Sequence, residues 1–124
     1  MAETPTHPMD VIATRTLRRD GRAYEVRIGR PVPDVPGARD WRCAWQLVDD
    51  TGTVVLALAA PGADAAQALT LALVMIGDRV AAESPDFRWD DLPGTGFPRH
   101  QLVDGRPTGL WEQDGMPPEV LAQG

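Results

Sequence analysis

The chain has no lysine. All twelve of its basic residues are arginines, so a Schiff-base lysine and a phosphate-loop lysine are both excluded. One cysteine, Cys43, excludes an internal disulfide and a zinc site built on paired C-x-x-C motifs. Two histidines, His7 and His100, stand far apart, and neither has a partner at helical ligand spacing. Aromatics are few: four tryptophans, two phenylalanines and one tyrosine. No apolar run reaches the length a membrane span needs. The start, MAETPTHPM, lacks the charged and apolar regions of a signal peptide, so the expected compartment is the cytoplasm.

What is present fits one small domain. The 124 residues carry a formal charge of −6, and one core is expected at that length. The charge is lopsided. Residues 1–62 hold eight arginines and eight acids, whereas residues 63–124 hold four arginines and ten acids. An acidic half repels nucleic acid and anionic membranes and suits a basic protein partner; plain solubility explains it equally simply.

Period-two alternation marks the strands. Residues 10–18 are rich in β-branched types, and Asp20-Gly21 signals a tight hairpin turn. In residues 22–29, Tyr24, Val26 and Ile28 share one face. Pro31, Pro33 and Pro36 make 30–40 a surface excursion. In 41–48, Trp41, Cys43, Trp45 and Leu47 share a face. Residues 53–60, TVVLALAA, are apolar on both faces and predict an inner strand or one covered twice. Pro61-Gly62 then ends the sheet.

The next segment predicts one long helix from Asp64 to Ser84. Asp64 is placed to cap it with Gln67 three residues on, and Pro85 stops it. At 100° per residue, Leu69, Ala72, Leu73, Ile76 and Val80 form the sheet-facing stripe. Leu71 and Val74 fall on the polar side with Met75 beside them, so they need a second cover: the chain's own tail, a partner, or another copy. Gly77, mid-helix, reads either as a point of close approach or as neutral drift. In residues 93–124, Gly and Pro fill eleven of 32 positions, which predicts an irregular segment partly packed on the domain, with a last short turn over 117–122.

The expected fold is therefore α+β: a four-stranded antiparallel meander over residues 10–92 with one long helix across a face. Residues 1–9 are expected to be a disordered extension, and 93–124 an irregular tail.

Chemistry is sparse. Cys43 lies on a buried strand face, where thiols are inert, and nothing in the sequence orients His100 as a base. No metal site and no cofactor are expected, because Asp49-Asp50 reads as a turn and Asp90-Asp91 alone is too small a ligand set. Gly94-Thr95-Gly96 lacks the strand-to-helix context of a phosphate loop. Arg15, Arg18, Arg19, Arg22, Arg27 and Arg30 crowd the first hairpin, but charged guarding of an edge strand explains them as well as phosphate contact does. The best recognition candidate is Glu83–Asp91, where Glu83, Asp86, Asp90 and Asp91 surround Phe87 and Trp89, although Trp89 as a core plug with the acids as its wet rim is the simpler reading. Together with Leu71, Val74 and Met75 these form the candidate partner surface of a small binding module, in concrete form an inhibitor or immunity-type protein for a basic partner. The alternatives are a ligand binder or enzyme with a pocket lined by Tyr24, Trp41 and Trp45 between sheet and helix, and a homodimer.

Ile12-Ala13-Thr14-Arg15, Trp41-Arg42-Cys43-Ala44-Trp45-Gln46-Leu47, and the helical Gln67-Ala68-Leu69, Leu71-Ala72-Leu73 and Met75-Ile76-Gly77 resemble a family of short bacterial domains of unknown function. The likeness covers roughly residues 9–80, with an echo at Gly96-Phe97-Pro98. It implies bacterial origin and no assigned activity, and the tail past about residue 100 falls outside it.

Overall fold

A computed structural model describes residues 9–115. The expected disorder of residues 1–8 and the short turn at 117–122 lie outside the described residues. The fold is α+β, and the four alternating segments do form an antiparallel meander. They are β1 (Val11–Arg19), β2 (Arg22–Gly29), β4 (Trp41–Val48) and β5 (Val54–Gly62). The sheet is larger than four strands. A two-residue β3 (Val32–Pro33) continues the line of β2 along β4. Beyond β1 come the equally short β6 (Arg88–Trp89) and β7 (Leu92–Pro93).

The first turn has the geometry its residues dictate. Asp20 and Gly21 both take positive φ, 53° and 76°, as a tight hairpin of this kind requires. The turn between β4 and β5 is held by one carboxylate. Asp49 accepts from the Thr51 hydroxyl at 2.7 Å and from the amides of Thr51 and Thr53, each at 2.9 Å. Those bonds, the hydroxyl's first, hold its pKa below the ordinary carboxylate value. The neighbouring Asp50 is lowered by its bond to Arg22. A group depressed in the folded state stabilises above its unfolded pKa, near about 4, and loses that contribution as pH falls through the folded value. An Asp49→Asn variant should therefore show a shallower loss of stability below that pH, measured by urea unfolding across an acid series. An identical slope in both proteins would disprove the role.

β5 departs from expectation. Among the described residues it pairs with β4 alone, and its outer side chains Val55, Ala57 and Ala59 are exposed. It is an edge strand, neither inner nor doubly covered. Apolar residues on both faces show burial only when something lies on both faces, and here the helix covers just one.

The helix, α1 (Ala65–Glu83), begins and ends where expected. Asp64 accepts from the Gln67 amide at 2.8 Å, and the Gln67 side chain accepts from the Ala63 amide. Ser84, in extended backbone, terminates it before Pro85. The sheet-facing stripe is rotated from the predicted one. Ala68, Ala72, Ile76 and Val80 are fully buried, whereas Leu69 and Leu73 are only partly so. Two alanines at the contact let the helix axis approach the bulky β4 side chains Trp45 and Leu47, so the wider leucines move to the flanks. The helix is also long and apolar enough, by length and composition alone, to cross a membrane, contrary to the sequence reading. In this fold it is packed along the sheet and carries Asp78, Arg79 and Glu83.

As far as residue 115 the tail is not irregular. β8 (Pro98–Val103) and β9 (Arg106–Gln113) form a separate antiparallel ribbon turned at Asp104-Gly105. β8 lies against the helix on the side away from the sheet. A methyl group at Gly77 would sit 1.9 Å from the Pro98 carbonyl oxygen, so close approach is the reason for the glycine. Val74, one turn earlier on that side, is 2 % exposed. The second cover that Leu71 and Val74 called for is thus supplied in part by the chain itself.

Candidate functional site

The base of the ribbon is built from polar contacts. Asp114 accepts from the Thr95 amide at 2.8 Å and pairs with Arg99 at 3.2 Å, while its backbone bonds Phe97 and Gly96. Thr95 is itself 1 % exposed and accepts from the Phe97 amide. On the opposite side of β8, His100 meets the helix. Its amide donates to Asp78 at 2.8 Å, and its Nδ1 lies 2.6 Å from the other carboxylate oxygen. Asp78 is therefore the orienting group that the sequence did not reveal, because it sits 22 residues away on another element.

Asp78, Arg99 and His100 line a cleft of about 610 Å³, closed by Ala81, Ala82, Pro85, Leu102, Pro107 and Gly109. A second cleft of about 300 Å³ lies at the ribbon's base, against Ser84, Pro85, Thr95, Arg99 and Asp114. A carboxylate on Nδ1 fixes the imidazole and leaves Nε2 to exchange a proton or a hydrogen bond. Among the described residues that line its cleft there is no serine, threonine or cysteine. Cys43 is fully buried, donates to the Gly29 carbonyl at 3.3 Å, and has its thiol pKa raised by burial. Among the described residues no three metal-ligating side chains gather.

From Gln101 to Glu112 every residue of the ribbon is exposed. Four of them are large and apolar: Leu102 at 49 %, Val103 at 56 %, Leu110 at 66 % and Trp111 at 46 %. A two-stranded ribbon is marginal on its own, and one with open apolar side chains has every reason to dock. Proline and glycine density hid this element from sequence reading. Prolines are tolerated here because both strands are edges. The signal was Asp104-Gly105, the same dipeptide that marks the first hairpin.

The predicted recognition residues divide. Glu83, Asp86, Asp90 and Asp91 are exposed, and none forms an ion pair among the described residues. Phe87 is 1 % exposed, edge-on to Tyr24 at 5.1 Å, so it packs the core. Trp89 is half-buried beneath the Arg15 guanidinium, 3.7 Å from its ring centroid. Gly96 leaves room for it, since a Cβ there would lie 2.3 Å from the Trp89 ring. Val74 is buried, and Leu71 and Met75 are partly so. Tyr24 and Trp45 are core residues, and Trp41, partly buried, packs against the core cluster. Neither cleft is lined by any of the three.

The first-hairpin arginines are largely engaged. Arg15 stacks between Trp89 and Phe97, and burial lowers its pKa against the pull of Asp90. Arg19 lies over Tyr24 and Phe87; Arg22, Arg27 and Arg30 pair with Asp50, Glu25 and Asp10. Among the described residues Arg18 alone of the six has neither an acid nor a ring.

Comparison with curated proteins finds no match, and none is found among solved structures. A family model described as Domain of unknown function (DUF6968) matches residues 13–99, which takes in the meander, the helix and the start of β8 but not the exposed arm of the ribbon. With most of its length matched, the chain belongs to that family of domains of unknown function.

Proposed function

We propose that this protein is a protein-binding module, of the inhibitor or immunity type, that takes a basic partner between its exposed ribbon and its acidic segment. The observation that carries this reading is the arm Gln101–Glu112, exposed throughout with four large apolar side chains. Such a surface loses free energy to water until something covers it. Pro85, which lines both clefts, is followed by Asp86 and lies two residues after Glu83, so acids border the ground beneath the arm. Unpaired carboxylates steer cations toward the surface, and Trp111 and Leu110 supply apolar anchors.

The absence of lysine makes a clean test. Carbodiimide joins carboxylates to amines without a spacer, and this chain's own amines are limited to its N-terminus. Cross-links from its acids therefore report partner lysines. The expected pattern is cross-links from Glu83, Asp86, Asp90 and Asp91 to one basic partner. Trp111→Ala should weaken that complex about tenfold or more while leaving the melting temperature unchanged. Cross-links confined to other acids, or a complex indifferent to Trp111→Ala, would refute the reading.

A further inference from the structure

We infer that the free edge of β5 is the seam of a homodimer, in which two copies pair their β5 strands antiparallel about a two-fold axis at Ala57. The strand runs nine residues, from Val54 to Gly62, and among the described residues it is hydrogen-bonded only to β4. Among the described residues nothing pairs with its other edge, which presents a row of backbone donors and acceptors. Edges of this length are ordinarily guarded by charge or cover. The opposite side of the sheet is guarded in that way: β1 carries Arg15, Arg18 and Arg19, and residues 88–97 lie against it. β5 has no such guard. From Thr51 to Ala63 there is no charged residue.

The side chains point to the occupant. Leu56 and Leu58 face the helix, opposite Leu47 and Trp45 of β4, which are fully buried. The two leucines themselves are only partly buried, because none of the described residues lies beyond the edge. On the outer face Val55, Ala57 and Ala59 are exposed, and alanines let another sheet edge approach flat. With Ala57 on the axis, Leu56 faces Leu58 of the second copy and Val55 faces its Ala59. That completes an apolar row on each face, with cross-strand pairs of the stabilising kind. No charge is forced into the seam. Asp49 and Asp50 at one end are held by Thr51, Thr53 and Arg22, and Asp64 at the other caps the helix. A strand that complements itself in size and lacks charge is suited to its own copy, in the two-fold arrangement most oligomers use. The seam is separate from the acidic surface, so the two readings stand or fall independently.

The test combines sedimentation with a thiol probe. The wild-type chain should sediment as a dimer at micromolar concentration. Ala57→Lys, on an exposed outer position, should raise the dimer dissociation constant about tenfold or more through like charges across the axis, with an unchanged far-ultraviolet circular dichroism spectrum. Ala57→Cys should give a disulfide-linked dimer on mild oxidation, since facing Cα atoms in such a pair fall within disulfide reach and the native Cys43 is buried. Trp111→Ala should leave the dimer intact. A monomeric wild type, a dimer that survives Ala57→Lys, or an Ala57→Cys protein that fails to cross-link would each overturn the inference.

Discussion

Phe87→Ala should cost the fold about 3–5 kcal/mol, measured by urea unfolding, because it empties a site inside the core. The ring is 1 % exposed, meets Tyr24 edge-on at 89°, and lies under the Arg19 guanidinium at 4.7 Å. Domains of this kind hold about 5–15 kcal/mol in total, so the variant would stand near the margin, with a melting temperature lower by roughly 10 °C or more. Trp89→Ala should cost less, since its ring is half-buried and its main neighbour is a stacked arginine. The comparison separates two roles that look alike in sequence. A side chain kept for recognition can be removed with little change in stability, and a Phe87→Ala protein as stable as the wild type would place that ring outside the core.

Gly77→Ala is expected to destabilise, against the ordinary rule for helices. Alanine should gain about 1 kcal/mol over glycine in a helix interior. Here the added methyl would lie 1.9 Å from the Pro98 carbonyl oxygen and 2.8 Å from its carbon, and both are backbone atoms that move only if β8 moves. Overpacking of this order costs about 1–3 kcal/mol, more than the helix gains. Relief would come from lifting β8, which breaks the contact of His100 with Asp78, the next residue along the helix. The readout is therefore double: a lower unfolding free energy, and loss of the His100 imidazole's bonded nuclear magnetic resonance signature. A variant about 1 kcal/mol more stable than the wild type, with that signature intact, would show that β8 does not press on the helix there.

The candidate site was partly legible. The exposed acids Glu83, Asp86, Asp90 and Asp91 could be read from composition, because charged side chains rarely leave water unpaired. Phe87 could not be told from them by local pattern, since an aromatic flanked by acids looks the same whether it plugs a core or awaits a partner. Asp78 was visible as the polar mark on an apolar helix, yet its bond to His100 depends on how a distant ribbon lies. Tyr24 and Trp45 were assigned to the right face of their strands. Whether that face encloses a cavity or dry packing depends on helix approach, which Ala68 and Ala72 make close.

What the chain decides locally, it decides well. Alternation set the strands over 22–29 and 41–48, β-branched content and apolar runs set the other two, Asp20-Gly21 set the first turn, and Asp64 with Pro85 bounded the helix, because backbone geometry and capping act over a few residues. What the tertiary structure alone decided is which faces are covered. Strand β5 is apolar on both sides yet sits at an edge. Gly77 is a contact rather than an accident. A tail rich in proline and glycine becomes an exposed ribbon. Each of these depends on contacts between residues far apart in the chain, and burial is a property of the pair that meets, not of either residue alone.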